Sequence, residues 1–253
     1  MARFDAISIR MKENYEFPYR IKLTRRTPVI IRLDGKAFHS FTKGFARPFD
    51  HVLMMAMHET MLDLCRNIQG AVFGYTQSDE ISILLIDYLN LDSCAWFDNE
   101  VQKICSVSAS MCTLSFNRHF SMGVENTAND SAEHLARLKA VEKGGMFDSR
   151  CFNIPREEVT NYFLSRQNDA SRNSVQMVGQ YYFQQKELHG KSGNDIQNML
   201  LTQHDVNWNN YTIPEKRGVA CYKTEHGWIL DDSMPILKEN GRNYVERLLC
   251  SLE

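Results

Sequence analysis

The segment Val29-Ile30-Ile31-Arg32-Leu33-Asp34-Gly35 constrains the fold more than any other stretch of the chain. Its apolar residues are nearly continuous, as in a central strand buried on both faces, and Pro28 marks its start. It ends on an acid and a glycine. That places a carboxylate at the sheet's edge, beside backbone that a ligand can approach closely. A second acidic spot follows, where Phe73 to Thr76, Gln77 to Glu80 and Ile81 to Ile86 read as strand, tight turn, strand. If the two strand ends are neighbours, Asp34, Asp79 and Glu80 form one cluster. Three carboxylates that close repel one another unless cations lie between them, and Mg²⁺ prefers one or two carboxylates, waters and substrate phosphates. The pattern points to two-metal phosphoryl or nucleotidyl transfer. Each spot taken alone also fits an ordinary turn.

Between the two spots, Lys36 to Arg47 reads as a polar-aromatic loop whose N–H groups could form an anion nest, with Lys36, Lys43 and Arg47 adding positive charge. Pro48 fits the start of a helix. Leu53, Ala56, Met57, Thr60, Met61, Leu64, Cys65 and Ile68 give that helix one buried face. A second helix is expected over about 99–117, a loop over 121–130, and a charged helix from Ser131 to Lys143 closed by Gly144-Gly145. Met146 to Pro155 reads as a fourth strand. The order β-α-β-β-α-β is the ferredoxin-like pattern shared by the palm of polymerases and nucleotidyl cyclases. The expected class is α+β: a palm core over about 28–155 and a helical and β-hairpin extension over about 156–253, in one catalytic domain. In the extension, helix is expected from Glu157 on toward Gly190, then a short helix to Leu201. Residues 219–223 should pair with 228–230, and a final amphipathic helix should span about Asn240 to Leu252.

Composition adds exclusions. With 29 basic and 31 acidic residues, a nucleic-acid partner cannot be argued from overall charge and needs a local basic face. Lys22-Leu23-Thr24-Arg25-Arg26 is such a stretch, either a solvated loop or a phosphate contact. The 7 cysteines are odd in number and lack CxxC spacing, a reduced, cytoplasmic pattern; Cys105 and Cys112 share a helix face and read as core. His51 and His58, a heptad apart, read as helix-surface residues. No signal peptide or membrane-length apolar run is expected. An RNA-binding sheet of the RRM type is disfavoured, because Val29 to Leu33 carries no aromatic.

Arg32-Leu33-Asp34-Gly35-Lys36-Ala37-Phe38-His39-Ser40-Phe41, then Phe45-Ala46-Arg47-Pro48, and Tyr75-Thr76-Gln77-Ser78-Asp79-Glu80-Ile81-Ser82 resemble the two signature stretches of the tRNA-histidine guanylyltransferase family, which includes the Thg1-like proteins. The resemblance implies nucleotide addition to the 5′ end of tRNA in the 3′-to-5′ direction, with two Mg²⁺ ions and with ATP and GTP as substrates. It implies metal ligation by Asp34, the Gly35 carbonyl and Asp79, with Glu80 as third acid, either a weaker ligand or an electrostatic support. Lys36, Ala37, Phe38, His39, Arg47 and Ser78 would cradle the triphosphate. Arg25, Arg26, Arg32, Arg150, Asn173 and Arg217, or Lys216 beside it, are candidate contacts to tRNA or phosphate. Members are typically tetramers, and the aromatic run Tyr181 to Phe183 is a candidate interface. Ser165-Arg166-Gln167-Asn168-Asp169 resembles the family's Trp-Arg-Gln-x-Asp. The next family stretch, His-Ile-Asn-Asn-Leu-Tyr-Asn, reads here Ser171-Arg172-Asn173-Ser174-Val175-Gln176-Met177. Loss of the histidine favours the Thg1-like branch and templated repair of 5′-truncated tRNA. The alternatives are guanosine addition to histidine tRNA and a cyclase-like enzyme acting on free NTP.

Overall fold

The computed structural model describes residues 5–127 and 129–250. Six strands form one antiparallel sheet: β1 (Val29–Gly35), β2 (Ala71–Gln77), β3 (Glu80–Leu85), β4 (Phe147–Asn153), β5 (Val219–Thr224) and β6 (Gly227–Asp231), in the order β4-β1-β3-β2-β5-β6. Three long helices are α1 (His51–Asn67), α2 (Val101–Asn126) and α4 (Val159–Tyr182), with shorter α3 (Ala132–Lys143) and α5 (Gly193–His204) beside them. The first four strands, with α1 after β1 and α2–α3 after β3, run β-α-β-β-α-β.

The burial of β1 on both faces explains its composition. Ile31 and Leu33 join α1 and α2 in one core with Ile81 and Ile83, while Ile30 joins Phe73, Tyr75, Leu84, Val159 and Phe163 on the face covered by α4. Arg32 and Asp34 are the polar members of that second face. Helix α1 packs so closely that a Cβ on Gly74 would lie 2.6 Å from the Cys65 sulfur.

Several local expectations need correction. Pro48 does not begin α1; Asp50 caps it, accepting from the Leu53 N–H at 3.0 Å. Helix α2 runs through the expected loop to Asn126, because Phe120 and Val124 continue its buried stripe and Gly123 lets it approach Val52. The segment Lys36 to Arg47 is more than a polar-aromatic loop. It contains a short helix (Phe38–Phe41), and the rings of Phe38, Phe41 and Phe45 enter the core against Phe116, Phe120 and Phe147. His58 is half-buried rather than fully on the surface, and burial lowers its pKa to about 4. The final helix is replaced by short helical turns over Glu239–Leu249, and Leu252 lies outside the described residues. Cys112 is buried in the core as expected, but Cys105 faces Cys151 with the sulfurs 3.6 Å apart. Tyr181 is exposed whereas Phe183 is buried. No helix among the described residues is long and apolar enough to cross a membrane.

Candidate active site

The site forms where β1 ends beside the β2–β3 turn. Gln77 and Glu80 pair across a two-residue turn, Ser78-Asp79, with Ser78 at φ 52°. Asp34 stands opposite Glu80 in the register, and the Gly35 N–H donates to the Asp79 carbonyl at 3.1 Å, tying the strand end to the turn. Glycine is required at 35, since a Cβ there would lie 2.3 Å from the Phe38 ring. Asp79 is held above the ordinary carboxylate range, first by burial and then by the nearby Asp34 charge. A desolvated carboxylate with a second one of like charge beside it suits a divalent cation with phosphate ligands.

Glu80 does not stand free beside the other two acids. It is 4 % exposed, and its carboxylate meets Arg32 at 2.8 Å and Arg166 at 3.1 Å. The cations expected among the three acids are, at Glu80, two arginines of the protein itself. The Arg32 guanidinium is accordingly tied to Glu80 rather than extended into solvent. Among the described residues no three His, Cys, Asp or Glu side chains converge on one ion position.

Two cavities flank the Ser78-Asp79 turn. The first, of about 350 Å³, is lined by His39, Thr42, Ala46, Arg47, Ser78, Asp79, Met177 and Gln180. Phe38 reaches it only at the edge, since the ring lies in the core at 4 % exposure. Ala37, at φ 56°, opens the Phe38–Phe41 helix, whose first N–H groups have no intrahelical acceptor. The Lys36 N–H is already taken by the Met146 carbonyl at 2.8 Å, while its side chain is exposed. Asp50 fixes the outer wall: besides capping α1 it accepts from the Ala46 N–H at 3.0 Å and pairs with buried Arg137 of α3 at 2.8 Å. The second cavity, of about 400 Å³, is more polar, with Arg32, Asp34, Asp79, Arg166, Asp169, Arg172 and Asn173 on its walls.

The expected RNA contacts separate. Arg150 is at the site, half exposed, 2.9 Å from Asp148 and 3.9 Å from Asp34. Asn173 is exposed on the second cavity. Arg25 and Arg26 are not at the site. They precede the other end of β1, about 17 Å from Asp34 along the strand. There Arg25 and Lys22 pair with Asp98, Arg20 pairs with Glu100, and the Arg26 N–H donates to Asp87. Arg217 is half-buried, with its carbonyl accepting from the Tyr75 hydroxyl at 2.6 Å, and Lys216 donates to the Asn209 carbonyl. Arg166, Asp169, Arg172, Asp50 and Arg137 were not singled out as site residues from the sequence. The Ser165–Asp169 resemblance pointed at the first two, and the helix-capping rule at Asp50.

A family model described as "Thg1: tRNAHis guanylyltransferase" matches residues 9–155. A solved bacterial tRNA(His) guanylyltransferase (Thg1)-like protein in complex with ATP is 43% identical, with TM-score 0.86 over 96% of this chain and 99% of that one. A structure of such a bacterial protein in complex with GTP is 41% identical, with TM-score 0.79 over 97% of this chain and 99% of that chain. The tRNA(His) guanylyltransferase of Debaryomyces hansenii is 25% identical over 100% of this chain and 91% of its own length.

Proposed function

The chain belongs to the tRNAHis guanylyltransferase family, and from that membership we propose that this nucleotidyltransferase extends the 5′ end of truncated tRNA in the 3′-to-5′ direction, copying the opposite strand. Nucleotide addition to tRNA and binding of ATP and GTP follow from the family and its nucleotide-bound relatives. The observation that carries the finer reading is the wall between the cavities: Ser78 and Asp79 line both, so two substrates can meet across one carboxylate. The β-α-β-β-α-β sheet with acids at this end fits a polymerase-type palm.

In this reading the first cavity takes the NTP. Arg47, His39, the Lys36 side chain and the N–H groups of Ala37 and Phe38 receive its phosphates, and Asp50 holds the wall in place. The second cavity takes the RNA 5′ end. With a 5′-monophosphate, a phosphate oxygen attacks the α-phosphorus of ATP and pyrophosphate leaves. The 3′-hydroxyl of the incoming NTP then attacks the 5′-phosphorus, and AMP leaves. A 5′-triphosphate end skips the first step and releases pyrophosphate in the second. Asp34 and Asp79, with the Gly35 carbonyl, would hold Mg²⁺, which when bound supplies charge neutralisation and a more acidic attacking hydroxyl. Glu80 holds Arg32 and Arg166 in place beneath them. Ser171 in place of the family's histidine favours repair over guanosine addition to histidine tRNA. We further propose a cytoplasmic homotetramer.

The test is incubation with Mg²⁺, NTPs and a tRNA transcript lacking its first nucleotide, beside the full-length transcript. The expected result is extension of the truncated tRNA by the pairing nucleotide alone, lost in Asp79→Ala. Preferred guanosine addition to full-length histidine tRNA would overturn the repair reading. Turnover of NTP without RNA would point to the cyclase-like alternative.

A further inference from the structure

Resting on that reading, we infer that Arg172 is a specificity residue that recognises the phosphate charge carried by the 5′ end of the RNA in the second cavity. A phosphorylated end that reaches this cavity faces the Asp34 and Asp79 carboxylates, and positive charge fixed on the protein beside them favours its binding. Most of the cavity's cations are already committed. Arg32 and Arg166 both meet Glu80, and Arg166 also pairs with Asp169. Arg172 pairs with Asp169 as well, yet its side chain is 76% exposed, against 16% for Arg166. Asp169 therefore orients the Arg172 head while most of its donors remain open to solvent, the arrangement of a pre-aimed anion clamp.

The sequence around it supports the assignment. The family stretch has histidine and isoleucine where this chain has Ser171 and Arg172. Ser171 donates to the Gln167 carbonyl at 3.1 Å, within its own helix, so its hydroxyl does not replace an imidazole. The permanent guanidinium of Arg172 thus stands on α4 one residue beyond the position that carries the family's histidine. A guanidinium forks onto phosphate oxygens without reading any base. That suits an enzyme that must accept many tRNAs by the state of their 5′ ends.

One truncated tRNA is prepared with a 5′-hydroxyl, a 5′-monophosphate or a 5′-triphosphate. Equilibrium binding in Mg²⁺ without NTP, and steady-state extension of the triphosphate form, compare wild type with Arg172→Gln and Arg172→Lys. We expect wild type to bind the triphosphate form more tightly than the hydroxyl form. Arg172→Gln should raise Kd and KM for the triphosphate form by about tenfold, leaving the hydroxyl form and free ATP unaffected. Arg172→Lys should recover part of the loss, as a point charge without the fork. Equal weakening for all three ends, no weakening, or a wild type indifferent to the 5′ end would each overturn the assignment. If wild type extends none of the RNAs, the repair reading fails while the binding comparison still decides the role of Arg172.

Discussion

At the scale of single residues, Asp79 and Glu80 are adjacent acids with opposite energetics. Asp79 sits above the usual carboxylate range because burial and Asp34 disfavour its charge. A carboxyl raised in the folded state costs stability once pH rises past its unfolded value. Asp79→Asn is therefore expected to raise Tm at neutral pH in EDTA. The gain should fade as pH falls toward the ordinary aspartate range, and addition activity should be lost; calorimetry across pH checks this. Glu80→Gln is expected to do the reverse, destabilising by about 2 kcal/mol in urea titrations, because half-buried Arg32 loses its carboxylate partner and Arg166 keeps only Asp169. A Glu80→Gln protein more stable than wild type would show that its charge is a burden, as for a bare metal ligand. Strand-end and turn patterns placed Asp34 and Asp79 each at a strand end, and the pairing of β1 with β3 meets the condition that the two ends be neighbours. The partner of Glu80 was not legible: Arg166 is 86 residues away, and no periodicity encodes a contact across that distance.

At the scale of elements, the nucleotide cavity depends on a clamp. Asp50 caps α1, accepts from Ala46 and pairs with Arg137 from α3, so one buried carboxylate joins a loop to two helices. Asp50→Ala removes a cap worth about 1 kcal/mol and strands a buried guanidinium at a cost of about 3 kcal/mol or more. We expect KM for NTP to rise further than kcat falls. Adding Arg137→Met should restore part of the stability, but not the KM, in paired melting and kinetic measurements. Aromatic residues in a short glycine-containing stretch looked like a surface loop. Only the rings of Phe116 and Phe120, brought up by α2, show why Phe38, Phe41 and Phe45 turn inward. The same packing carries α2 through residues 121–126, where small residues alone argued for a loop.

At the scale of the whole molecule, the fold class and strand order through β4 followed from the sequence, while the way the last hundred residues complete them did not. The tetramer proposal predicts that sedimentation will give four times the 29.3 kDa chain mass, and that Tyr181→Glu, at an exposed aromatic, will lower it. Strand β5 pairs with β2, and α4 lays Phe163 on Phe73, so the hairpin bearing Asp79 is finished on its edge and one face by residues far downstream. A ribosome releasing this chain therefore exposes the edge of β2 until residue 224 has emerged, long after both signature stretches have been made. The nascent protein is thus most prone to aggregation when its catalytic acids are already translated, and a fragment cut at Pro155 should precipitate rather than work as a minimal enzyme.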